Sequence, residues 1–112
     1  MARLDFYVNY ELQASIRLDA TAVGLGRAPD CEVQMPDPKV SRRHAVISVR
    51  HNIHTIENFS ANGTRVNGRA IDVAQSLQPG DVIFIASYIL VYQSDDVPAA
   101  ALDATVIPLT DD

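Results

Sequence analysis

Between Leu4 and Asp19 the chain repeats with a period of two. Leu4, Phe6, Val8, Tyr10, Leu12, Ala14, Ile16 and Leu18 alternate with Asp5, Asn9, Glu11, Gln13, Ser15, Arg17 and Asp19. Successive side chains of a strand point to opposite faces, so this pattern reads as sheet with one buried face. Its length predicts two strands joined by a turn near Asn9–Glu11. Further short apolar runs follow: TAVGLG, CEVQM, HAVISVR, IHTIENF, GTRVNG, RAIDV, DVIFIA and YILVYQ. Turn chemistry separates them, at Ala28-Pro29-Asp30, Pro36-Asp37-Pro38, His51-Asn52, Asn62-Gly63, Asn67-Gly68 and Pro79-Gly80-Asp81. No stretch carries an apolar stripe at helical spacing. Many short strands in one small chain imply an all-β sandwich or barrel.

The 112 residues suffice for one domain, and 47% hydrophobic residues suffice for a packed core. The longest apolar stretch, DVIFIASYILVY, is too short to span a bilayer, and MARLDFYVNYELQ carries Asp5, Asn9 and Glu11 where a signal peptide needs its apolar region. The single Cys31 excludes an internal disulfide and a cysteine-based zinc site, and fits a reducing cytoplasmic setting. The net charge of −5 is unevenly spread. Residues 94–112 hold Asp95, Asp96, Asp103, Asp111 and Asp112 and no Lys or Arg, so residues 1–93 keep 14 − 5 = 9 acids against 9 bases. The expected division is a neutral folded domain over 1–93 and an acidic tail or linker over 94–112. Within the domain, Arg27, Lys39, Arg42, Arg43, Arg65 and Arg69 form a local cationic zone. Such a zone suits one anionic group better than a long polyanion, so nucleic acid is not the expected partner.

Three loops between predicted strands hold the unusual residues: LGRAPDCEV with Gly26 and Arg27, DPKVSRRHA, and NFSANGTRVNG. They combine guanidinium forks, a hydroxyl, an amide and turn glycines. Those parts can grip a phosphate and the peptide beside it.

The order G-R, then V-S-R-x-H, then S-x-N-G-T-x-x-N-G resembles the forkhead-associated (FHA) domain, and LQPGDVIFI resembles that family's Gly-Asp turn into its closing strands. The match spans roughly residues 20–93. The resemblance implies an FHA-like (SMAD/FHA) β-sandwich of about eleven strands whose loops bind phosphothreonine peptides in Ser/Thr kinase signalling. It implies that Arg27 grips the phosphate, Ser41 donates its hydroxyl to it, and Arg42 adds a further contact. Asn62 would bond the partner's backbone, and Lys39 would tune preference for the third residue after the phosphothreonine. His44 would brace the loops from behind, with Gly26 and Gly63 serving backbone geometry. Ala61 departs from the family's usual threonine, which removes one possible phosphate bond of about 1 kcal/mol. Ala86-Ser87 departs from a common glycine, at a turn and not at the site. Two or three charged hydrogen bonds, less the ordering cost of a peptide, point to roughly micromolar binding.

Other chemistries are disfavoured. Ser41 and His44 sit too close along one strand entry for a nucleophile and base, and no acid is placed to orient the histidine. His51 and His54 would face opposite sides of one strand, against a metal site. Gly24-x-Gly26 lacks the rest of a nucleotide loop. No enzyme, metal or cofactor is therefore expected. The alternative function is an FHA-like scaffold that binds partners without phosphate. Thr105 is a candidate kinase site in the tail, and Thr110 lies beyond it. Twelve residues separate Thr105 from Gln93, about 40 Å when extended, so capture by a neighbouring molecule is easier than within one chain.

Overall fold

The computed structural model describes residues 2–99. It contains eleven strands in two sheets, and no helix among the described residues. The larger sheet has the order β2(Glu11–Arg17)-β1(Ala2–Val8)-β11(Tyr88–Ser94)-β10(Val82–Ile85)-β7(Arg65–Val66)-β8(Arg69–Ala70). The smaller has the order β4(Val33–Gln34)-β3(Ala22–Gly26)-β5(Ala45–Arg50)-β6(Ile53–Asn58)-β9(Ala74–Ser76). All pairings are antiparallel except β3 with β4. Each sheet turns one face inward, and Leu4, Leu25, Ile47, Ile56, Ile83, Ile85 and Leu90 are fully enclosed between them. Burying each such side chain stabilises the fold by about 1.5–3 kcal/mol.

The predicted turns form where expected, and their backbone explains their residues. Asn9 (φ 51°) and Tyr10 (φ 67°) join β1 to β2, His51 (φ 54°) and Asn52 (φ 63°) join β5 to β6, and Asn67 (φ 54°) and Gly68 (φ 79°) join β7 to β8. Two successive left-handed residues match the twist of a two-residue hairpin. Ala86 (φ 53°) opens the β10–β11 turn, so the departure from glycine there leaves a side chain in a conformation that glycine adopts without cost.

The first hairpin corrects the expectation of one buried face. β1 lies inside the larger sheet and is covered on both faces, whereas β2 is its edge and is exposed apart from half-buried Ile16. On the outer face of β1, Arg3 and Asp5 form a buried ion pair: Arg3 Nε donates to Asp5 Oδ1 at 2.7 Å and Nη2 donates to Oδ2 at 3.1 Å. Ser15 Oγ also donates to Asp5, at 2.8 Å. Arg3 Nη1 and Nη2 reach on to the carbonyls of Ser94 and Val97. Tyr7 packs beside this pair with Ile89 and Val91 in a small second cluster. The short β9, Ala-Gln-Ser, is absent from the sequence reading; it is an edge strand without β-branched residues.

Strand direction gives the sandwich two poles. β3 and β6 end, and β5 and β7 begin, at the pole carrying the loops 27–44 and 59–64. The opposite pole carries the β5–β6 and β7–β8 turns, Leu18, the start of β1 and the end of β11. There a cleft of about 430 Å³ opens between the sheets beside Leu18, Val49, His54 and Tyr92. His54 Nδ1 shares a 2.7 Å hydrogen bond with the Tyr92 hydroxyl. Burial lowers the His54 pKa, only partly offset by the Leu18 backbone, and burial raises that of Tyr92. No helix among the described residues is long and apolar enough to cross a membrane. Thr105 and Thr110 lie outside the described residues.

Candidate functional site

The loop pole is built on backbone contact between β3 and the segment before β5. Arg27 N–H donates to the Ser41 carbonyl (3.0 Å), Ala28 N–H to the Arg42 carbonyl (3.1 Å), and His44 N–H to the Leu25 carbonyl (2.9 Å). The strands come so close at Gly26 that a Cβ there would lie 2.3 Å from the Arg42 carbonyl oxygen. Gly26 is thus required for close approach rather than for an unusual φ. Cys31 lies beneath, its thiol donating to the Arg42 carbonyl at 3.4 Å; burial raises its pKa and keeps that proton in place.

The segment 37–44 is fixed from below and within. Pro38 sets φ for the turn closed by Val40 N–H and the Asp37 carbonyl (2.9 Å), and Asp37 Oδ1 accepts the Lys39 N–H at 2.8 Å. Met35, Val40 and His44 are buried, which anchors the loop into the core. The His44 ring then ties two loops together. Its Nδ1 accepts the Ser41 backbone N–H at 3.1 Å, so Nε2 carries the hydrogen and donates to the Gly63 carbonyl at 2.8 Å. Both ring nitrogens are thus engaged by backbone groups, one in each loop.

The loop 58–64 is organised by Asn58. Its Oδ1 accepts the Ser60 N–H (3.3 Å) and the buried Thr64 hydroxyl (2.8 Å), while Nδ2 donates to the Ser60 carbonyl (3.0 Å). Gly63 (φ 86°) closes the turn by donating its N–H to the same carbonyl at 3.2 Å. Asn62 Nδ2 crosses to the Lys39 carbonyl at 2.7 Å, leaving Oδ1 without a partner among the described residues.

Arg27, at the same pole, is half-buried. Its Nε donates to the Val40 carbonyl at 2.9 Å, one residue before Ser41, and its two terminal nitrogens have no partner among the described residues. Ser41 Oγ lies 2.6 Å from Ser60 Oγ. Thus Arg27, Lys39, Ser41, Arg42, Ala61 and Asn62 come from three separate loops to one pole, with Gly26, His44 and Gly63 beneath or between them. Arg42, Lys39, Ala61 and Asn62 are exposed. Beside Asn62, a depression of about 240 Å³ is walled by Arg65, Phe84 and Ala86.

The cationic zone is narrower than the sequence implies. Arg43 pairs with Asp30 at 3.4 Å, Arg65 Nη1 donates to the Gly68 carbonyl at 3.0 Å, and Arg69 follows the turn at the opposite pole. Arg27, Lys39 and Arg42 remain at the mouth. Sequence reading also passed over Ser60, Asn58 and the Val40 carbonyl as site elements. The first two stand within the quoted motif or next to it, and the third is backbone, which no residue type reveals. Among the described residues no three His, Cys, Asp or Glu side chains gather to hold a metal ion.

A family model for the FHA domain matches residues 23–86, more than half of the chain. Mouse proliferation marker protein Ki-67 is 37% identical over 73 residues, which cover 64% of this chain and 2% of that protein. The glycogen accumulation regulator GarA of Mycobacterium tuberculosis is 37% identical over 76 residues, covering 67% of this chain and 46% of GarA. The solved structure of Mycobacterium tuberculosis EmbR in complex with a low affinity phosphopeptide superposes with a TM-score of 0.75 at 30% identity, over 82% of this chain and 24% of the EmbR chain. The chain therefore spans less than half the length of each of these proteins. The matched segment runs from β3 to the turn after β10 and includes all three loops of the mouth, and the chain belongs to the FHA domain family.

Proposed function

We propose that this domain is a non-catalytic module that binds an extended phosphothreonine peptide at its loop pole, as an adaptor in Ser/Thr kinase signalling. The observation that carries this reading is the Arg27 guanidinium: one nitrogen is fastened to the carbonyl of Val40, the residue before Ser41, and two have no partner among the described residues. A fork held in this way can donate two parallel bonds to a phosphoryl dianion. In this reading Ser41 donates a third bond, and Arg42 adds charge from the rim. Asn62 Oδ1 accepts a backbone N–H of the peptide while its Nδ2 stays on Lys39. Lys39 attracts an acidic side chain, and the depression beside Asn62 receives another side chain of the ligand. Family membership and the phosphopeptide bound to EmbR support the same ligand class. The domain works without cofactor or metal, in the cytoplasm where Cys31 stays reduced, with residues 94–112 as tail or linker apart from the first few, where the Ser94 and Val97 carbonyls hold Arg3.

The test is a titration by calorimetry with a degenerate phosphothreonine library, followed by matched phosphothreonine, phosphoserine and unphosphorylated forms of the selected peptide. The expected result is roughly micromolar binding of the phosphothreonine form and at least about 30-fold weaker binding without phosphate. Equal curves for the phosphorylated and unphosphorylated forms would sink the reading. They would leave the phosphate-independent scaffold, which Ala61 and the exposed β2 edge favour.

A further inference from the structure

We infer that Ser60 is a positioning residue that fixes the Ser41 hydroxyl as a hydrogen-bond donor toward the ligand; this rests on the phosphopeptide reading above. Ser60 is only 6% exposed. Its Oγ has two partners among the described residues: it accepts the Asn62 N–H at 3.0 Å and lies 2.6 Å from Ser41 Oγ. A hydroxyl has one hydrogen and two lone pairs, so the short bond between the serines runs one way or the other. Were Ser41 the donor, both lone pairs of Ser60 would be occupied and its own hydrogen would be enclosed without an acceptor. Nearby acceptors are already engaged. Asn58 Oδ1 takes Ser60 N–H and Thr64 Oγ1, and the Ser60 carbonyl takes Gly63 N–H and Asn58 Nδ2. An enclosed hydroxyl hydrogen without a partner is unfavourable.

With Ser60 as donor every group is satisfied. The Ser60 hydrogen goes to Ser41 Oγ, and the Ser41 hydrogen is left to face the mouth, where Ser41 is only partly buried. The chain then runs in one direction: Asn62 N–H to Ser60, Ser60 O–H to Ser41, Ser41 O–H to an outside acceptor. Each link polarises the next. Ser60 thereby orients a hydroxyl on a different loop, with no contact of its own to the ligand. Ser41 is set to favour a group that only accepts, as a phosphoryl dianion does.

The test is a double-mutant cycle on Ser41→Ala and Ser60→Ala, read as phosphothreonine-peptide affinity by calorimetry, with thermal unfolding of each variant. Ser60→Ala is expected to weaken binding about 3- to 10-fold when Ser41 is present. In the Ser41→Ala background it should change affinity by less than about twofold. Ser60→Thr, which keeps the hydroxyl, should restore binding to within about twofold of the parent. Should Ser60→Ala not fold, Ser60→Cys enters the same cycle, as a near-isosteric weak donor with the same expected dependence on Ser41. Equal losses in both backgrounds would show a purely structural role and overturn the inference, as would no loss in either. If the parent protein does not distinguish phosphorylated from unphosphorylated peptide, the binding reading fails and this inference with it. Discrimination by the parent with an additive cycle overturns the inference alone.

Discussion

The two poles of the sandwich each hold an arginine among carbonyl oxygens, and the two arginines are used differently. Arg3 is surrounded: Asp5 takes two of its nitrogens, the Ser94 and Val97 carbonyls take its terminal groups, and only 7% of it is exposed. Arg27 has one nitrogen tied to Val40 and the other two without a partner among the described residues. The difference separates an arginine whose nitrogens are all used by the fold from one that, in the proposed function, offers two to a ligand. The same contrast extends to neighbours. His54 Nδ1 and the Tyr92 hydroxyl bond each other at the far pole, where His54 Nε2 is buried without a partner among the described residues, while Asn62 Oδ1 at the exposed loop pole keeps an acceptor in reserve.

The largest effect is expected where the far pole is broken. Asp5→Ala leaves Arg3 charged and enclosed without its counterion, and the melting temperature should fall by more than about 10 °C. Phosphopeptide affinity, measured well below the transition, should stay within about twofold of the parent. Equal loss of binding would mean that the poles are not independent. Arg27→Ala is the complementary break. It should weaken phosphothreonine-peptide binding about 100-fold in calorimetry while lowering the melting temperature by only a few degrees, about one hydrogen bond's worth.

A pH series sharpens the comparison further. The lowered His54 pKa means that the folded state resists a proton that the unfolded chain accepts below its ordinary value of 6.5. Stability should therefore be fully present above about pH 6.5 and decline as pH falls from there toward the lower folded pKa, below which the decline ends. Thermal unfolding of His54→Gln should lose this slope. Peptide affinity should instead follow the phosphate's own second ionisation near pH 6 in both proteins, about one charge of the ligand rather than of the domain. The smallest effect is a gain. Ala61→Thr returns a hydroxyl to the rim, and affinity should rise about 3- to 5-fold, with a clearer preference for phosphothreonine over phosphoserine in matched titrations.

The sequence makes the strands and the mouth legible for different reasons. Strands announce themselves by alternation, and hairpins by His51-Asn52 and Asn67-Gly68, because these are properties of adjacent residues. The mouth is legible because Arg27, Ser41 and Asn62 stand in a recognisable order along the chain. What stays hidden depends on which strand sits beside which. Arg3, Asp5 and Tyr7 look like a solvated face until β11 and β2 flank β1. Arg43 looks like part of the ligand's surroundings until Asp30 claims it, and Arg65 looks like a free cation until the Gly68 carbonyl takes one of its nitrogens. Ser60 resembles a generic turn residue, since only the approach of another loop shows what its hydroxyl touches.

The His44 ring, bonded at one nitrogen to residue 41 and at the other to residue 63, has a kinetic consequence. Two walls of the mouth are braced against each other before any peptide arrives, so docking requires little rearrangement of the protein. Encounter rates should then vary little among phosphopeptides of similar charge. Selectivity would reside in how long each complex persists before it lets go.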